Sequence, residues 1–231
     1  MGTTGALPVK KERVKSRKYY DRRERVIDVA VELFSRNGYA STGVADIGDA
    51  AGLARGALYY YIGSKDALLA EIHDRVMDPL LREAEAVAAL DVDLRTRLRL
   101  LSESLLWQVI HKKDHVWVFL HEYHQLEGER RAQFREKRQE FEGCVQGVIA
   151  QGAAHGLWTV SDPQLATFAF LNLHNYTYQW VGGRRDLEVE GLAGFYCHVF
   201  LDGIASPAEA DEVSPGLLAG RALLDELRRP D

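Results

Sequence analysis

Aromatic, small and basic side chains stand close together near residue 60 of this 231-residue chain. Three consecutive tyrosines, Tyr59 to Tyr61, follow the small residues Gly56 and Ala57 and precede Lys65. Tyrosine hydroxyls and a lysine ammonium at helix ends can bind phosphate oxygens, and a helix that starts with small residues can approach a ligand closely. The segment therefore predicts contact with a phosphate-bearing polymer.

The elements that would position these side chains are short helices separated by glycines. Asn37-Gly38 is a stop signal for a first helix, and Gly52 ends a short second helix, because glycine adopts the left-handed cap conformation without strain. A third short helix follows, and Ser64 can cap a fourth. Two short helices joined by a tight glycine turn behind a longer helix are typical of a helix-turn-helix.

A helix-turn-helix gives the polar side chains of its last helix defined tasks. That helix lies in the major groove of DNA with its N-terminal residues at the base edges. Arg55 then reaches a guanine edge or a phosphate, and Gly56 and Ala57 allow close approach of the backbone. Tyr59 and Tyr60 direct hydroxyls to phosphates, and Lys65 adds charge at the start of the next helix.

Apolar residues recur with helical spacing along almost the whole chain, beginning with Val26, Ile27 and Ala30. No run alternates as a β-strand does. The sequence predicts an all-α fold with an N-terminal three-helix helix-turn-helix domain and a C-terminal helical domain. Pro79 should kink or restart the fourth helix, with Asp78 as a possible cap. An eighth helix is expected from Pro163 to Gly182-Gly183, and a ninth from about 187 to 204.

Charge is distributed unevenly along the chain. The net charge is −5, but residues 1–25 carry nine basic and three acidic side chains. A basic segment in front of an acidic body suggests that one end meets a polyanion, although a solvated tail has the same composition. We expect a basic flexible arm over 1–20. Two cysteines without a CxxC spacing, no apolar run of 18 residues and no signal-peptide pattern predict a cytoplasmic protein without a membrane segment.

The segment "NGYASTGVADIGDAAGLARGALYYYIGSKDALL" resembles the DNA-binding region of the TetR family of transcriptional repressors. The resemblance covers about residues 22–75 and adds Thr42 to the expected DNA contacts. The sequence departs from the family pattern at four positions, where a second threonine, an alanine, a capping serine and a phenylalanine are usual. These positions are Gly43, Gly48, Ala54 and Ile62. Fewer phosphate contacts are expected, which the basic arm could offset.

The resemblance implies a division of the chain and a set of partners. It implies a DNA-binding domain over 21–67, a ligand-binding and dimerisation domain over 68–206, and a tail or short helix over 207–231. The expected partners are a pseudo-palindromic double-stranded operator, a hydrophobic small-molecule effector that releases the repressor from DNA, and a second copy bound through the last two long helices. No cofactor and no membrane partner are expected.

Aromatic and polar side chains of the fifth to eighth helices are candidates for a ligand pocket. The expected lining residues are Trp107, Trp117, Tyr123, His121, His124, Phe141, Phe170, His174, Asn175 and Trp180. The segments "HEYHQL" and "LNLHNYTYQWVGG" are similar to family members that sense acyl-CoA thioesters. Arg130, Arg131, Arg135 and Arg138 would then bind the CoA phosphates, unless they only form a solvated charged face.

Histidine pairs and catalytic motifs are the alternatives to a DNA-binding regulator. His111 and His115, and His121 and His124, have helical spacing, but neither pair forms HExxH, so no metal site is predicted. No G-x-S-x-G, P-loop or GxGxxG motif at a strand end occurs, so the chain is not expected to be an enzyme. The remaining alternative is an all-helical carrier or enzyme with a vestigial helix-turn-helix.

Overall fold

The computed structural model describes residues 17–184 and 187–202, and those ranges contain nine α-helices and no strand. The all-α prediction is confirmed. Three single 3-10 turns lie at Tyr123–Gln125, Thr177–Gln179 and Val181–Gly183. The helices are α1 (Arg17–Asn37), α2 (Val44–Ala51), α3 (Arg55–Ile62), α4 (Lys65–Ala89), α5 (Leu94–His111), α6 (Lys113–His121), α7 (Gly128–Ala154), α8 (Pro163–Asn175) and α9 (Val189–Asp202).

The local stop and start signals around α1 to α4 act as the sequence predicts. Gly38 and Gly52 have φ values of 81° and 65°, in the left-handed region that glycine tolerates. The Ser64 hydroxyl caps α4 by accepting a hydrogen bond from the Ala67 backbone N–H at 3.0 Å. These three residues therefore fix the lengths of the helices that carry the tyrosines.

The start of α1 corrects the expected boundary of the basic arm. The sequence predicts a flexible arm over 1–20, but residues 17–20 belong to α1, which begins at Arg17. Tyr19 is buried and stacks on Tyr61 with ring centroids 5.2 Å apart, and this packing supports helix at that point. The rest of the expected arm, residues 1–16, lies outside the described residues. So do the expected end of the ninth helix and the tail at 207–231.

Helix α4 continues through Pro79 without a break. The predicted restart with Asp78 as a cap is therefore wrong. The Asp78 carboxylate instead accepts a hydrogen bond from the Lys137 ammonium of α7 at 2.6 Å, and Asp74 accepts another at 2.7 Å. Lys137 thus holds two successive turns of α4 against α7, on the N-terminal side of Pro79.

Helix α8 ends earlier than predicted, at Asn175 rather than at Gly182-Gly183. Two 3-10 turns replace its expected last turns. The Thr177 hydroxyl donates to the Leu173 carbonyl at 2.9 Å and lies 2.7 Å from the Tyr196 hydroxyl of α9. This bond between Thr177 and Tyr196 accounts for the tighter turn, because it ties the chain to α9 immediately after α8 ends.

Two hydrophobic cores share helix α4. The first joins α1, α2 and α3 to Leu68, Leu69 and Ile72 at the start of α4. It also includes Val118, Leu126 and Phe134 from the C-terminal part of the chain. The second core combines residues from the later turns of α4 with residues of α5, α7, α8 and α9. The three N-terminal helices are therefore packed on the same helix that forms one wall of the C-terminal domain.

Candidate nucleic-acid interface and effector cavity

Helix α3 presents one polar face and one buried face. Leu58 and Ile62 are buried against α1, whereas Arg55, Gly56 and Ala57 are exposed at the N-terminus of the helix. A Cβ atom at Gly56 would meet no other group within 4 Å. The first turn of α3 is therefore open to a large ligand, as a recognition helix requires.

The three consecutive tyrosines lie in different surroundings, and the DNA contacts expected of Tyr59 and Tyr60 stay a prediction. Tyr60 is 64% exposed and Tyr59 is also exposed. Tyr61 turns inward onto Tyr19, and its carbonyl accepts a hydrogen bond from the Arg23 Nε atom at 3.2 Å. Arg55 stands over the Tyr59 ring, 5.9 Å from its centroid. Two hydroxyls and one guanidinium thus share the exposed face, and Tyr61 holds α3 on α1.

Thr42 does not belong to this exposed face. The residue is 1% exposed, and its hydroxyl donates to the Gly38 carbonyl at 2.9 Å. The expectation of a direct DNA contact is therefore wrong for Thr42, because the hydroxyl is already bonded inside the turn between α1 and α2. Its role is to fix the shape of that turn.

The Lys65 ammonium is also directed onto this turn. It donates to the Tyr39 carbonyl at 2.6 Å and lies 3.9 Å from the centroid of the Tyr39 ring. Desolvation lowers the pKa of Lys65. A phosphate contact by Lys65 stays a prediction, but the side chain has a structural bond that the sequence did not reveal.

Local structure explains how glycine is accommodated at two of the positions that depart from the family pattern, Gly48 and Gly43. A Cβ atom at Gly48 would stand 3.0 Å from the Leu53 carbonyl oxygen, so glycine permits a tight approach of α2 to the turn that follows it. Gly43 offers no capping side chain, but its N–H donates to the Asp46 carboxylate at 2.6 Å. The start of α2 is therefore stabilised without the usual hydroxyl.

A cavity of about 390 Å³ lies between α4, α5, α6, α7 and α8. This volume falls in the range of small-molecule sites. Most of its walls are apolar: Val76, Met77, Leu80, Leu105, Val109, Val116, Phe119, Leu120, Phe134, Phe141, Phe168 and Leu171. The polar lining residues are Gln108, Tyr123, Arg138, Glu142, Asn172 and Asn175.

An open depression adjoins this cavity and carries positive charge. It shares Tyr123, Phe134, Arg138, Glu142 and Phe168 with the cavity and adds Arg131 and Arg135. The Arg138 guanidinium donates to the Glu142 carboxylate at 2.8 Å. The depression therefore borders the cavity, with three arginines around it, and we refer to it as the mouth of the cavity.

Comparisons with known proteins agree with this arrangement. Residues 26–72 match the family described as bacterial regulatory proteins, tetR family, and residues 91–204 match the tetracyclin repressor-like C-terminal domain. The HTH-type transcriptional repressor KstR2 of Rhodococcus jostii (strain RHA1) is 30% identical over 189 residues, covering 80% of this chain and 92% of KstR2. The chain belongs to the TetR family.

Two solved structures share the fold, and the first is described as a TetR family transcriptional regulator. PfmR from Thermus thermophilus superposes with a TM-score of 0.72 at 26% identity, covering 79% of this chain and 100% of PfmR. AibR, solved in complex with isovaleryl coenzyme A and operator DNA, has a TM-score of 0.68 at 24% identity, covering 77% of this chain and 97% of AibR. The second likeness concerns the fold alone.

Membership of the TetR family decides between the alternatives raised by the sequence. The chain is a DNA-binding transcriptional regulator and not an enzyme, so the carrier or enzyme with a vestigial helix-turn-helix is set aside. No helix within 17–184 or 187–202 has the length and apolar character needed to cross a membrane.

Three of the predicted ligand-binding residues line the cavity of this TetR-family protein: Tyr123, Phe141 and Asn175. Phe170 and His174 are instead fully buried in packing contacts. The His174 Nδ1–H donates to the Phe170 carbonyl at 2.7 Å, and Nε2 accepts from the Ser102 hydroxyl at 2.7 Å. The prediction is wrong for this pair, because their contacts are within the protein core.

The remaining predicted lining residues lie outside the cavity. Trp107 lines a separate open groove between α4, α5 and the start of α9. Trp117 stacks on His121 with ring centroids 4.5 Å apart, and His121 Nε2 accepts a hydrogen bond from the Tyr178 hydroxyl at 3.1 Å. His124 and Trp180 are exposed. The structure places all five of these residues outside the cavity lining.

Sequence reasoning missed several lining residues, among them Met77, Phe134 and Gln108. Gln108 was the most informative omission, since it interrupts the apolar stripe of Leu101, Leu105 and Val109 with a polar group. Within the described ranges, no group of three or more metal-ligating side chains is present.

Proposed function

We propose that the chain is a homodimeric repressor that leaves a pseudo-palindromic operator when a largely apolar molecule fills the cavity. The observation that carries this proposal is the connection between the cavity and the helix-turn-helix. Tyr123 lines the cavity, and the adjacent Glu122 accepts a hydrogen bond from the Tyr39 N–H at 3.1 Å. Tyr39 lies in the turn that leads to α2.

A second set of contacts supports coupling through α4. Phe119 and Phe134 line the cavity and surround the His73 ring, with centroids 5.7 and 5.1 Å away. His73 lies one helical turn after Leu69, which packs in the core of the DNA-binding helices. Movement of either phenylalanine would therefore displace α4 directly below the helix-turn-helix, a two-state element that both sites can bias.

The charge at the mouth favours an acyl-CoA thioester as the effector. An apolar acyl chain suits the cavity walls, and Arg131, Arg135 and Arg138 stand where phosphates of the carrier would emerge. AibR, which shares the fold, was solved with isovaleryl coenzyme A and operator DNA. Because that likeness concerns the fold alone, the arginine-bearing mouth is the support for this proposal.

The proposed dimer would form through α8 and α9, as the family resemblance implies. Three large apolar side chains on or next to these helices are exposed and do not line the cavity or its mouth: Leu165, Tyr176 and Phe195. Phe195 is 60% exposed, whereas Leu192 and Tyr196 of the same helix are buried. A second copy of the chain would cover this apolar surface and set the spacing of two recognition helices on DNA.

The function is tested by operator release. An operator selected from random DNA is labelled, and its binding is followed by fluorescence anisotropy during titration with decanoyl-CoA or free CoA. Release by decanoyl-CoA and not by free CoA is expected. Retention of the operator at saturating concentrations of a bound thioester would contradict the proposed release.

The dimer is tested by light scattering coupled to gel filtration. Phe195→Glu places a charge on the proposed interface and should give a monomer. Glu188→Gln, a position just before α9, is the matched control and should stay a dimer. If the protein without substitutions is a monomer, the proposed dimer is wrong.

A DNA-bound role also implies a location in the cytoplasm, which is part of this proposal.

A further inference from the structure

Gln108 is a buried amide whose side chain has no partner. The residue is 2% exposed and lines the effector cavity. Neither its amide oxygen nor its amide nitrogen has a hydrogen-bond partner within residues 17–184 and 187–202. Burial of an unpaired amide is unfavourable, so such groups in proteins usually serve a purpose or bind a molecule outside the chain.

Two other buried polar groups of α5 are paired. The Ser102 hydroxyl bonds to His174, and Ser104 bonds to the Glu83 carboxylate. Arg97 Nε of α5 also has no partner, but the same guanidinium donates to the Leu90 carbonyl at 2.9 Å, whereas both polar side-chain atoms of Gln108 are unpaired. Gln108 differs from these serines because its side chain borders the cavity.

Gln108 bonds to none of the residues that line the cavity, although Tyr123, Asn172 and Asn175 are polar members of that lining. Leu105 and Val109 flank it on α5, and both are apolar. The contents of the cavity can therefore supply the partner that the described residues do not. The volume of about 390 Å³ is large enough for a ligand or for several water molecules.

The polar groups of the cavity differ in their access to solvent. Arg131, Arg135 and Arg138 surround the mouth, whereas Gln108 is 2% exposed and lines the cavity but not the mouth. Most of the other walls are apolar, with Phe134 and Phe141 among them, and Asn172 and Asn175 are polar. A molecule that holds an anionic head at the mouth would bring its buried part to the amide.

We propose that Gln108 selects effectors whose buried end carries an oxygen, as a hydroxyl or carbonyl group. The inference rests on the proposed function in that the same cavity binds the effector. A hydroxyl satisfies the amide best, because it can donate to the amide oxygen and accept from the amide nitrogen. A plain alkyl end leaves both atoms unpaired, and a site of this kind discriminates against such a ligand.

Two matched pairs of probes test this selection by calorimetry. The first pair is decanoyl-CoA and 10-hydroxydecanoyl-CoA, and the second is decanoic acid and 10-hydroxydecanoic acid. The unchanged protein should prefer the hydroxylated member of each pair by about tenfold or more. Gln108→Met keeps the volume but removes both polar atoms, and it should abolish or reverse the preference.

Two controls separate selection from a change in folding. Ser104→Ala removes a buried polar group of the same helix that does not line the cavity, so it should keep the preference. Gln108→Met should also unfold at the same temperature as the unchanged protein or above it, because the unpaired amide is gone. A lower unfolding temperature would show that Gln108 has a structural partner after all and would overturn the inference.

The two proposals fail in different ways. If no pair shows a preference, or if Gln108→Met keeps one, the inference is wrong and the amide binds only water. If decanoyl-CoA releases the operator without any effect of the hydroxyl, the proposed function stands and the selection does not. If neither thioester releases the operator but 10-hydroxydecanoic acid keeps its Gln108-dependent preference, the acyl-CoA proposal falls and the selection stands.

Discussion

Glu122 and Tyr39 are 83 positions apart in the chain and joined by one buried hydrogen bond. A Glu122 carboxylate oxygen lies 3.1 Å from the Tyr39 backbone nitrogen. The Tyr39 hydroxyl bonds to the Asp66 carboxylate, and its carbonyl accepts from Lys65. The turn between α1 and α2 is thus held from the C-terminal domain and from the start of α4 at the same time.

Removal of the Glu122 carboxylate should weaken the connection between the cavity and DNA. In Glu122→Ala the Tyr39 N–H loses a charged acceptor, a loss of about 1–3 kcal/mol for a buried donor. We expect lower stability, and a smaller effect of effector on operator affinity. Urea unfolding measures the stability, and fluorescence anisotropy with and without decanoyl-CoA measures the effect on operator affinity. Glu129→Ala, an exposed position, is the control, and an undiminished effector response in Glu122→Ala would contradict the coupling.

Arg55 should read a base rather than only add charge. Arg55→Ala is expected to relax the preference at one operator position by about 1–3 kcal/mol if the guanidinium binds a guanine edge. Binding to a set of single-base operator variants measures this. Arg82→Ala removes the same charge from an exposed position of α4 and should leave the base preference unaltered. A uniform loss over all variants would assign Arg55 to phosphate instead.

Deletion of residues 1–16 should lower DNA affinity without loss of the fold. This segment has four basic side chains and one acidic side chain, and the described structure begins after it. The salt dependence of binding should become shallower, since fewer counterions are released. Deletion of residues 1–20 should also reduce stability, because Tyr19 packs on Tyr61. Equal salt slopes for full-length protein and the 1–16 deletion would show that the arm takes no part.

Two glycines of α7 should respond in opposite directions to alanine. A Cβ atom at Gly152 would overlap the Trp158 indole, whose Nε1–H donates to the Ile149 carbonyl at 2.8 Å. Gly152→Ala should therefore cost about 1–3 kcal/mol of unfolding free energy. Gly143 has no group near a new Cβ atom, so Gly143→Ala should gain about 0.5–1 kcal/mol. Urea unfolding compares the two, and an unharmed Gly152→Ala would contradict this packing.

Stability should fall as the pH drops below 6.5. Burial lowers the pKa of His174 from 6.5 to about 4. Between these values the unfolded chain binds a proton that the folded chain does not, so up to about 3 kcal/mol present above pH 6.5 is lost by pH 4. Burial lowers the pKa of His73 too, which adds in the same direction.

Urea unfolding at pH 7.5, 5.5 and 4.5 measures this dependence. His174→Gln should lower stability at pH 7.5 and make the pH dependence shallower. His124→Gln, at the protein surface, should leave the pH dependence as it is. An equal slope in His174→Gln and the unchanged protein would show that His174 does not titrate in the expected window.

The parts of the structure that follow from local chemistry were predictable. Gly38, Gly52 and Ser64 act through backbone conformation or a bond three residues away, so sequence positions alone identify them. Thr42 and Lys65 are predicted from the sequence as DNA contacts. Their bonds to the turn between α1 and α2 could not be predicted, because these bonds depend on the three-dimensional shape of the turn.

The cavity was harder to predict for a related reason. Trp107 and Gln108 are neighbours on α5, yet only Gln108 lines the cavity, and Trp107 lies in the outer groove. Helical spacing shows that a face is apolar, but the rotation of α5 against α4 and α7 decides what that face meets. Such packing depends on residues that are far apart in the chain, so it cannot be predicted from a short segment of the sequence.

The sharing of α4 between two cores has a consequence for cooperativity. Leu68, Leu69 and Ile72 complete the core of α1 to α3, while Val76 and Leu80 belong to the next core along the same helix. A fragment that stops at residue 67 would expose the apolar sides of all three N-terminal helices. The DNA-binding end therefore cannot melt or be excised as an independent module, and heat should unfold the described helices in a single transition.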